Sequence, residues 1–201
     1  MTCAHYPRGG NVFCRECDLD VIAKYERKGD WIQTFTGRKY WPADPRAGDV
    51  NLLDIAHALS MLCRYTGHTR DFYSVAEHSW HVSHLVSPQN ALIGLMHDAT
   101  EAYTNDINRP LKQSLPDYQR VEHLNWLAIA RAFNLPEVLP AEVHTADRNM
   151  LTVEKAALMH PLPEWETDFG MPAQLVHIRA WEPKVAERRF LRRFYELDMY
   201  R

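Results

Sequence analysis

The sequence predicts an all-α domain, and three observations carry that expectation. From Leu52 onward, apolar residues recur at spacings of three and four, the period of a helix with one buried face. Prolines and capping residues cut that pattern into segments of helical length. No block of alternating, β-branched residues with strand character interrupts it.

The elements follow in order. Residues 1–30 hold Cys3, Cys14 and Cys17 and a Gly9-Gly10 break, and end in the polar run Glu26-Arg27-Lys28-Gly29-Asp30. They read as a short, irregular, Cys-containing N-terminal extension, with 31–201 as the main domain. Residues 31–50 are rich in Trp, Tyr, Gly and Pro and lack a helical period, which predicts a structured loop or a short hairpin. Leu52, Leu53, Ile55, Ala56, Leu59, Leu62 and Cys63 give the apolar face of a first helix, interrupted at Gly67-His68-Thr69-Arg70. Ser74 is the expected N-cap of the next helix, with Glu77 completing a capping box three positions on, and Pro88 closes it. Asn90 is placed to cap a helix through Ala91, Leu92, Leu95 and Met96 towards Tyr103. Pro110 and Pro116 bracket a short helix, followed by helices over Asp117–Phe133, about Ala141–Met159 and Pro183–Leu197. No internal repeat is present.

Composition narrows the class. With 201 residues, 46% hydrophobic and 24% charged, the chain fits one globular domain with a small extension. A net charge of -3 gives no basic footprint, which argues against a nucleic-acid polymer as partner. No apolar run approaches the roughly 20 residues of a membrane span. The start Met1-Thr2-Cys3-Ala4-His5 lacks the apolar core of a secretory signal, so a cytoplasmic location is expected. Reduced thiols or metal ligands are then favoured over disulfides for the four cysteines. Cys3, His5, Cys14 and Cys17 offer four ligands for a separate structural zinc ion; free thiols are the alternative.

The chemistry concentrates around His97-Asp98-Ala99-Thr100-Glu101. On a helix, His97 and Glu101 are four apart and Asp98 and Glu101 three apart, so they share a face. Leu92, Leu95 and Met96 anchor that helix in the core. A His-Asp pair beside buried apolar positions is costly unless neutralised, and a cation would neutralise it. Upstream, His78 lies near the start of its helix. Downstream, Asp147 sits in an apolar frame with Ala146, Met150, Leu151 and Val153. Two histidines and two aspartates make a mixed N/O site suited to a divalent transition ion with open positions.

The order His78, then His97-Asp98, then Asp147 resembles the signature of the HD-domain phosphohydrolase superfamily. The phrase Ser74-Val75-Ala76-Glu77-His78-Ser79, followed by His97-Asp98-Ala99-Thr100-Glu101 and Asp106-Ile107, is similar to the bacterial and phage 5'-deoxynucleotidase branch. The resemblance covers about residues 31–160. It implies an HD-domain helical bundle in which His78, His97, Asp98 and Asp147 bind a divalent ion such as cobalt, manganese, zinc or magnesium. It implies Glu101 as the catalytic carboxylate, Asp106 as a second acid, and Arg64 as a phosphate-binding arginine. Tyr65 stands beside it where the family commonly has a tryptophan, and is carried over as a substrate contact. A homo-oligomer is also implied.

The expected activity is therefore removal of the 5'-phosphate from a deoxynucleoside monophosphate, a small-molecule nucleotide substrate. Release of triphosphate from a deoxynucleoside triphosphate at the same site is the nearest rival. A non-catalytic module braced by the ion is the alternative from another class. His81 and His84 share the helix of His78 and are expected to be partly exposed. His57 is expected to be a hydrogen-bonded core histidine, His123 and Trp126 to pack the long helix, and Lys112 to be solvated.

Overall fold

The side chain of Asn51 accepts hydrogen bonds from the backbone N–H groups of Leu53 (2.8 Å) and Asp54 (3.4 Å), and so starts the first helix. The computed structural model describes residues 26–162 and 176–199. Within them the chain is all-α apart from one two-stranded hairpin. The strands β1 (Ile32–Gln33) and β2 (Lys39–Tyr40) pair antiparallel, Ile32 opposite Tyr40. The helices are α1 (Leu52–Met61), α2 (Val75–Leu85), α3 (Ala91–Met96) and α4 (Glu101–Thr104). They are followed by α5 (Arg109–Gln113), α6 (Pro116–Ala132), α7 (Ala141–Leu158) and α8 (Pro183–Asp198).

Helix α2 is central and packs against α1, α3, α7 and α8. Ile55, Ala56 and Leu59 of α1, Val75, Ala76 and Val82 of α2, and Met150 and Phe190 from α7 and α8 are buried together. Tyr40 ties the hairpin to this core: it donates to Asn125 at 2.6 Å and stacks on Tyr103 with ring centroids 3.7 Å apart. Arg27, from the expected extension, donates to the Asp44 carbonyl, pairs with Asp49 and lies over the Trp41 ring. Those contacts fasten the end of that segment to the domain.

Two local expectations need correction. Ser74 caps α2, accepting from the Glu77 N–H at 3.1 Å, but the Glu77 side chain does not complete the box. Its carboxylate instead accepts from the backbone N–H groups of Arg179 (2.8 Å), Ala180 (3.1 Å) and Trp181 (2.6 Å). Three donors in a row outcompete a single one at the cap. The helix expected from Asn90 to Tyr103 is also not continuous, and the Asn90 side chain does not cap it but donates to Ser87 and Glu142. After α3 the chain tightens, with Ala99 bonding Met96, Glu101 bonding Asp98 and Tyr103 bonding Thr100, each across three residues. Such a turn aligns side chains three apart along the axis, so Asp98 and Glu101 project from the same side of the chain.

Candidate metal centre

Four side chains from three elements meet beside α2. His78, from the first turn of α2, is fully buried, and His97 and Asp98 follow the end of α3. Asp147 projects from the second turn of α7. The Nε2 atoms of His78 and His97 are 3.3 Å apart. Oδ1 of Asp147 is 3.1 Å from Nε2 of His78 and 3.9 Å from that of His97. Oδ2 of Asp98 lies 3.1 Å from Nε2 of His97 and 3.5 Å from that of His78. Donors held about 2.1 Å from one ion stand about 3.0–3.5 Å from one another. The ligand atoms of His78, His97 and Asp147 form a group that could hold a metal ion, with the His97–Asp147 pair wider than that spacing at 3.9 Å, and Asp98 lies against the same two imidazoles. The Asp147 side chain is 44% exposed, so one side is open to water and a ligand.

Both imidazoles are aimed by their other nitrogen. His97 Nδ1 donates to the Gly94 carbonyl at 2.8 Å, and His78 Nδ1 lies 2.6 Å from Glu154 Oε1. Fixing Nδ1 as donor turns the Nε2 lone pair of each ring to the centre. Gly94 also lets α3 approach α2, since a Cβ there would stand 3.1 Å from a Val86 methyl and 3.4 Å from Ser83 Cα.

Glu154 escaped the sequence reading, although it lies seven residues, two helical turns, beyond Asp147 on the same face of α7. It is fully buried and receives Tyr73 at 3.0 Å, Tyr65, and Arg64 at 3.3 Å besides His78. Burial works against its charge, but the Arg64 guanidinium and His78 hold its pKa down at about 2. Burial and Arg64 in turn work against a proton on His78, yet the carboxylates of Glu154 and Asp147 raise its pKa to about 9. Burial also disfavours the Asp98 carboxylate, and His97, His78 and Arg64 overcome it and hold the group far below its usual range.

Arg64 and Tyr65 therefore reach the site, but inward. Arg64 bridges Glu154 and Asp98, the latter at 3.5 Å, and Tyr65 donates to Glu154. The Arg64 Nε–H is buried without a partner. Tyr65 and Thr66 both adopt left-handed backbone, with φ of 56° and 55°. Two such non-glycine residues in succession are strained, and strain of this kind concentrates beside functional sites.

Glu101 is buried next to the aspartates, and its Oε2 has no hydrogen-bond partner. Burial, then the charges of Asp98 and Asp106, push its pKa well above the carboxylate range. Asn105, at φ 73°, turns the chain after α4. Asp106 then lies within the field of Arg64, Asp98 and His78, its pKa raised chiefly by burial. Lys112 is not solvated as expected: it pairs with Glu122 at 2.5 Å.

Among the described residues, the other histidines do not join the group of His78 and His97. His57 pairs with Glu187 at 3.1 Å and stacks on Phe35, so it is hydrogen-bonded as expected, but its side chain is 30% exposed and lies outside the core. His84 is exposed, whereas His81 is buried 3.6 Å from Glu77, because the 179–181 segment covers it. Trp126 packs inward and donates to the Glu137 carbonyl, but His123 faces solvent. Cys3, His5, Cys14 and Cys17 lie outside the described residues. Among the described residues no helix is long and apolar enough to cross a membrane.

No family model matches the chain. It is 38% identical over 173 residues to the uncharacterized protein YfdR of Escherichia coli K12, an alignment covering 85% of this chain and 97% of YfdR. It is 34% identical over 160 residues to the uncharacterized protein RCAP_rcc00048 of Rhodobacter capsulatus, covering 72% of this chain and 82% of that one. The chain belongs to the family of YfdR. Neither relative's name specifies an activity, so the chemistry rests on the residues themselves.

Proposed function

We propose that the chain is a metal-dependent phosphohydrolase of the HD-domain type, removing the 5'-phosphate from deoxynucleoside monophosphates. The observation that carries this reading is that the Nε2 atoms of His78 and His97, 3.3 Å apart, each lie within 3.9 Å of a carboxylate oxygen of Asp147 and of Asp98, with the unpartnered acid Glu101 beside them. A bracing ion has no use for an additional buried carboxyl that is not satisfied, because burial of an unmatched polar group costs stability. The donor set, with nitrogen and oxygen ligands and an open side, fits a catalytic rather than a closed structural site.

When bound, the divalent ion supplies Lewis acidity towards a phosphoryl oxygen and acidifies water. The protein's groups do the rest. His78, His97, Asp98 and Asp147 hold the centre rigid, because Glu154 and the Gly94 carbonyl fix the rings. Glu101, whose Oε2 is unpartnered beside the centre, would orient a water against phosphorus and, with a bound cation offsetting the neighbouring carboxylates and favouring its ionised form, take its proton. Arg64 keeps a buried Nε–H in reserve beside Asp98 and supplies positive charge where negative charge spreads over phosphoryl oxygens.

Phosphate release from a panel of deoxynucleoside monophosphates, with cobalt, manganese, zinc and magnesium each supplied to stripped protein, tests the reading. The triphosphates of the same nucleosides distinguish triphosphate release from single-phosphate removal. Asp98→Ala is expected to lose ion and activity together. Glu101→Gln is expected to keep the ion and lose about 10²–10⁴-fold in turnover. A fully active Glu101→Gln variant removes Glu101 from the mechanism, and no metal-stimulated release across the panel removes the hydrolase.

A further inference from the structure

On the far side of α2 from His78, a groove between α2, α8 and residues 176–181 shares no lining residue with the candidate metal centre. It consists of two adjoining hollows of about 520 Å³ and 790 Å³ that share Trp80, His84 and Arg189. Arg179, Arg188, Arg189, Arg192 and Arg193 line it, against one carboxylate, Glu196. The whole chain carries a net charge of -3, so this is a local inversion of sign. Helical spacing produces it: residues 188, 189, 192 and 193 fall on one face of α8, whose other face buries Ala186, Phe190 and Phe194.

The cations are only partly compensated. Arg192 pairs with Glu196 at 2.8 Å, and Arg193 donates to the Ser83 hydroxyl and carbonyl at 3.2 Å. Among the described residues no carboxylate pairs with Arg179, Arg188 or Arg189. Arg189 instead lies over the Trp181 ring, 4.5 Å from its centroid, leaving its planar fork free to donate. Trp80 lies between His84, at 4.0 Å between centroids, and Trp181, at 5.1 Å. An aromatic platform and a fork of guanidiniums thus face one concavity.

We propose that this groove is a second binding site, for a nucleoside phosphate. The phosphates sit among Arg188, Arg189 and Arg192, and the base stacks at the Trp80–Trp181 end. Hollows of this size suit a small ligand, within the roughly 300–1,000 Å³ of small-molecule sites. Guanidinium forks match phosphate oxygens, and an indole face takes any base. A single strand is disfavoured: leaving the groove along α8 it meets the carboxylates of Glu196 and Asp198.

Isothermal titration with dATP, inorganic triphosphate, deoxyadenosine and an oligothymidylate, all in excess chelator, tests this apart from the metal centre. The expected result is saturable dATP binding, with deoxyadenosine and inorganic triphosphate each weaker. The exposed double variant Arg188→Glu/Arg189→Glu should weaken dATP at least about tenfold, and Arg188→Ala by less. Circular dichroism checks that both variants fold. The proposal is overturned if dATP does not bind, or if the double variant binds it as well as the parent. Inorganic triphosphate equalling dATP would also overturn it, because no ring is then recognised. The oligothymidylate binding more tightly than dATP would make the groove a strand track instead.

Discussion

Glu154 and His78 meet beneath the candidate metal centre, Oε1 to Nδ1 at 2.6 Å with both side chains fully buried. The contact is at once structural and electrostatic. It fixes which imidazole nitrogen faces the ligands, and it places a carboxylate where Arg64, Tyr65 and Tyr73 can satisfy its remaining capacity. A carboxylate behind a ligating histidine makes the ring a better donor.

Glu154→Ala should therefore weaken ion binding by about 10–100-fold although it touches no ion. Leaving Arg64 buried without its partner should also cost about 3–5 kcal/mol of stability. Glu154→Gln keeps an acceptor for His78 and should lose less on both counts. Chelator competition for cobalt or zinc, alongside urea denaturation, separates the two effects. Unchanged affinity in Glu154→Ala would show that His78 is oriented by other groups.

The charges set a pH window for protein stripped of metal. His78 has its folded pKa raised from 6.5 to about 9, so its contribution is complete below pH 6.5 and is lost as pH rises through about 9. Glu154 is depressed from 4.5 to about 2, so its contribution holds above pH 4.5 and is lost as pH falls through about 2. Stability from this pair is thus greatest between those limits, from pH 4.5 to 6.5. An ion taking Nε2 displaces the proton on His78, so metal affinity should rise towards pH 9. Melting curves in chelator and metal titrations across pH check both slopes. Affinity independent of pH would mean that His78 is already neutral.

Gly94 controls how closely α3 lies on α2. Gly94→Ala gains about 1 kcal/mol of helix preference but meets the Val86 methyl at 3.1 Å, so stability should change little. Gly94→Leu cannot be absorbed and should cost about 1–3 kcal/mol or more while displacing His97 from the centre. Ion affinity measured on folded Gly94→Leu reads that displacement. Parental affinity would mean that α3 shifts without moving His97.

Glu77 binds the chain before α8 through three backbone N–H groups. Glu77→Ala leaves those donors unmet and should cost at least about 3 kcal/mol. Amide exchange at residues 179–181 should accelerate together, with a change in tryptophan emission from Trp80 and Trp181, which pack edge to face. Protected amides in the variant would show that packing alone holds the segment.

Local signals were readable where one stretch of chain suffices to produce the structure. The period of three and four gave the helices, Ser74 gave the start of α2, and the prolines gave the breaks. The candidate ligands were readable because each sits at a sharp local mark: a histidine after a cap, a His-Asp doublet, an aspartate in an apolar frame. Glu154 and the destination of the Glu77 carboxylate left no such mark. Each is an ordinary acid on an amphipathic helix, and its partners lie 76 and more than 100 residues away in the chain.

By itself, then, the sequence determined an all-α chain and nominated His78, His97, Asp98 and Asp147, because helix period and residue chemistry are local properties. Only the tertiary structure decided that their donor atoms meet, that Glu154 stands behind them, and that Arg64 and Tyr65 turn inward to it. It also decided that the arginines of α8 face two tryptophans. Those relations depend on how α2, α7 and α8 pack, and packing is fixed by contacts between residues far apart in the chain rather than by the period of any one helix.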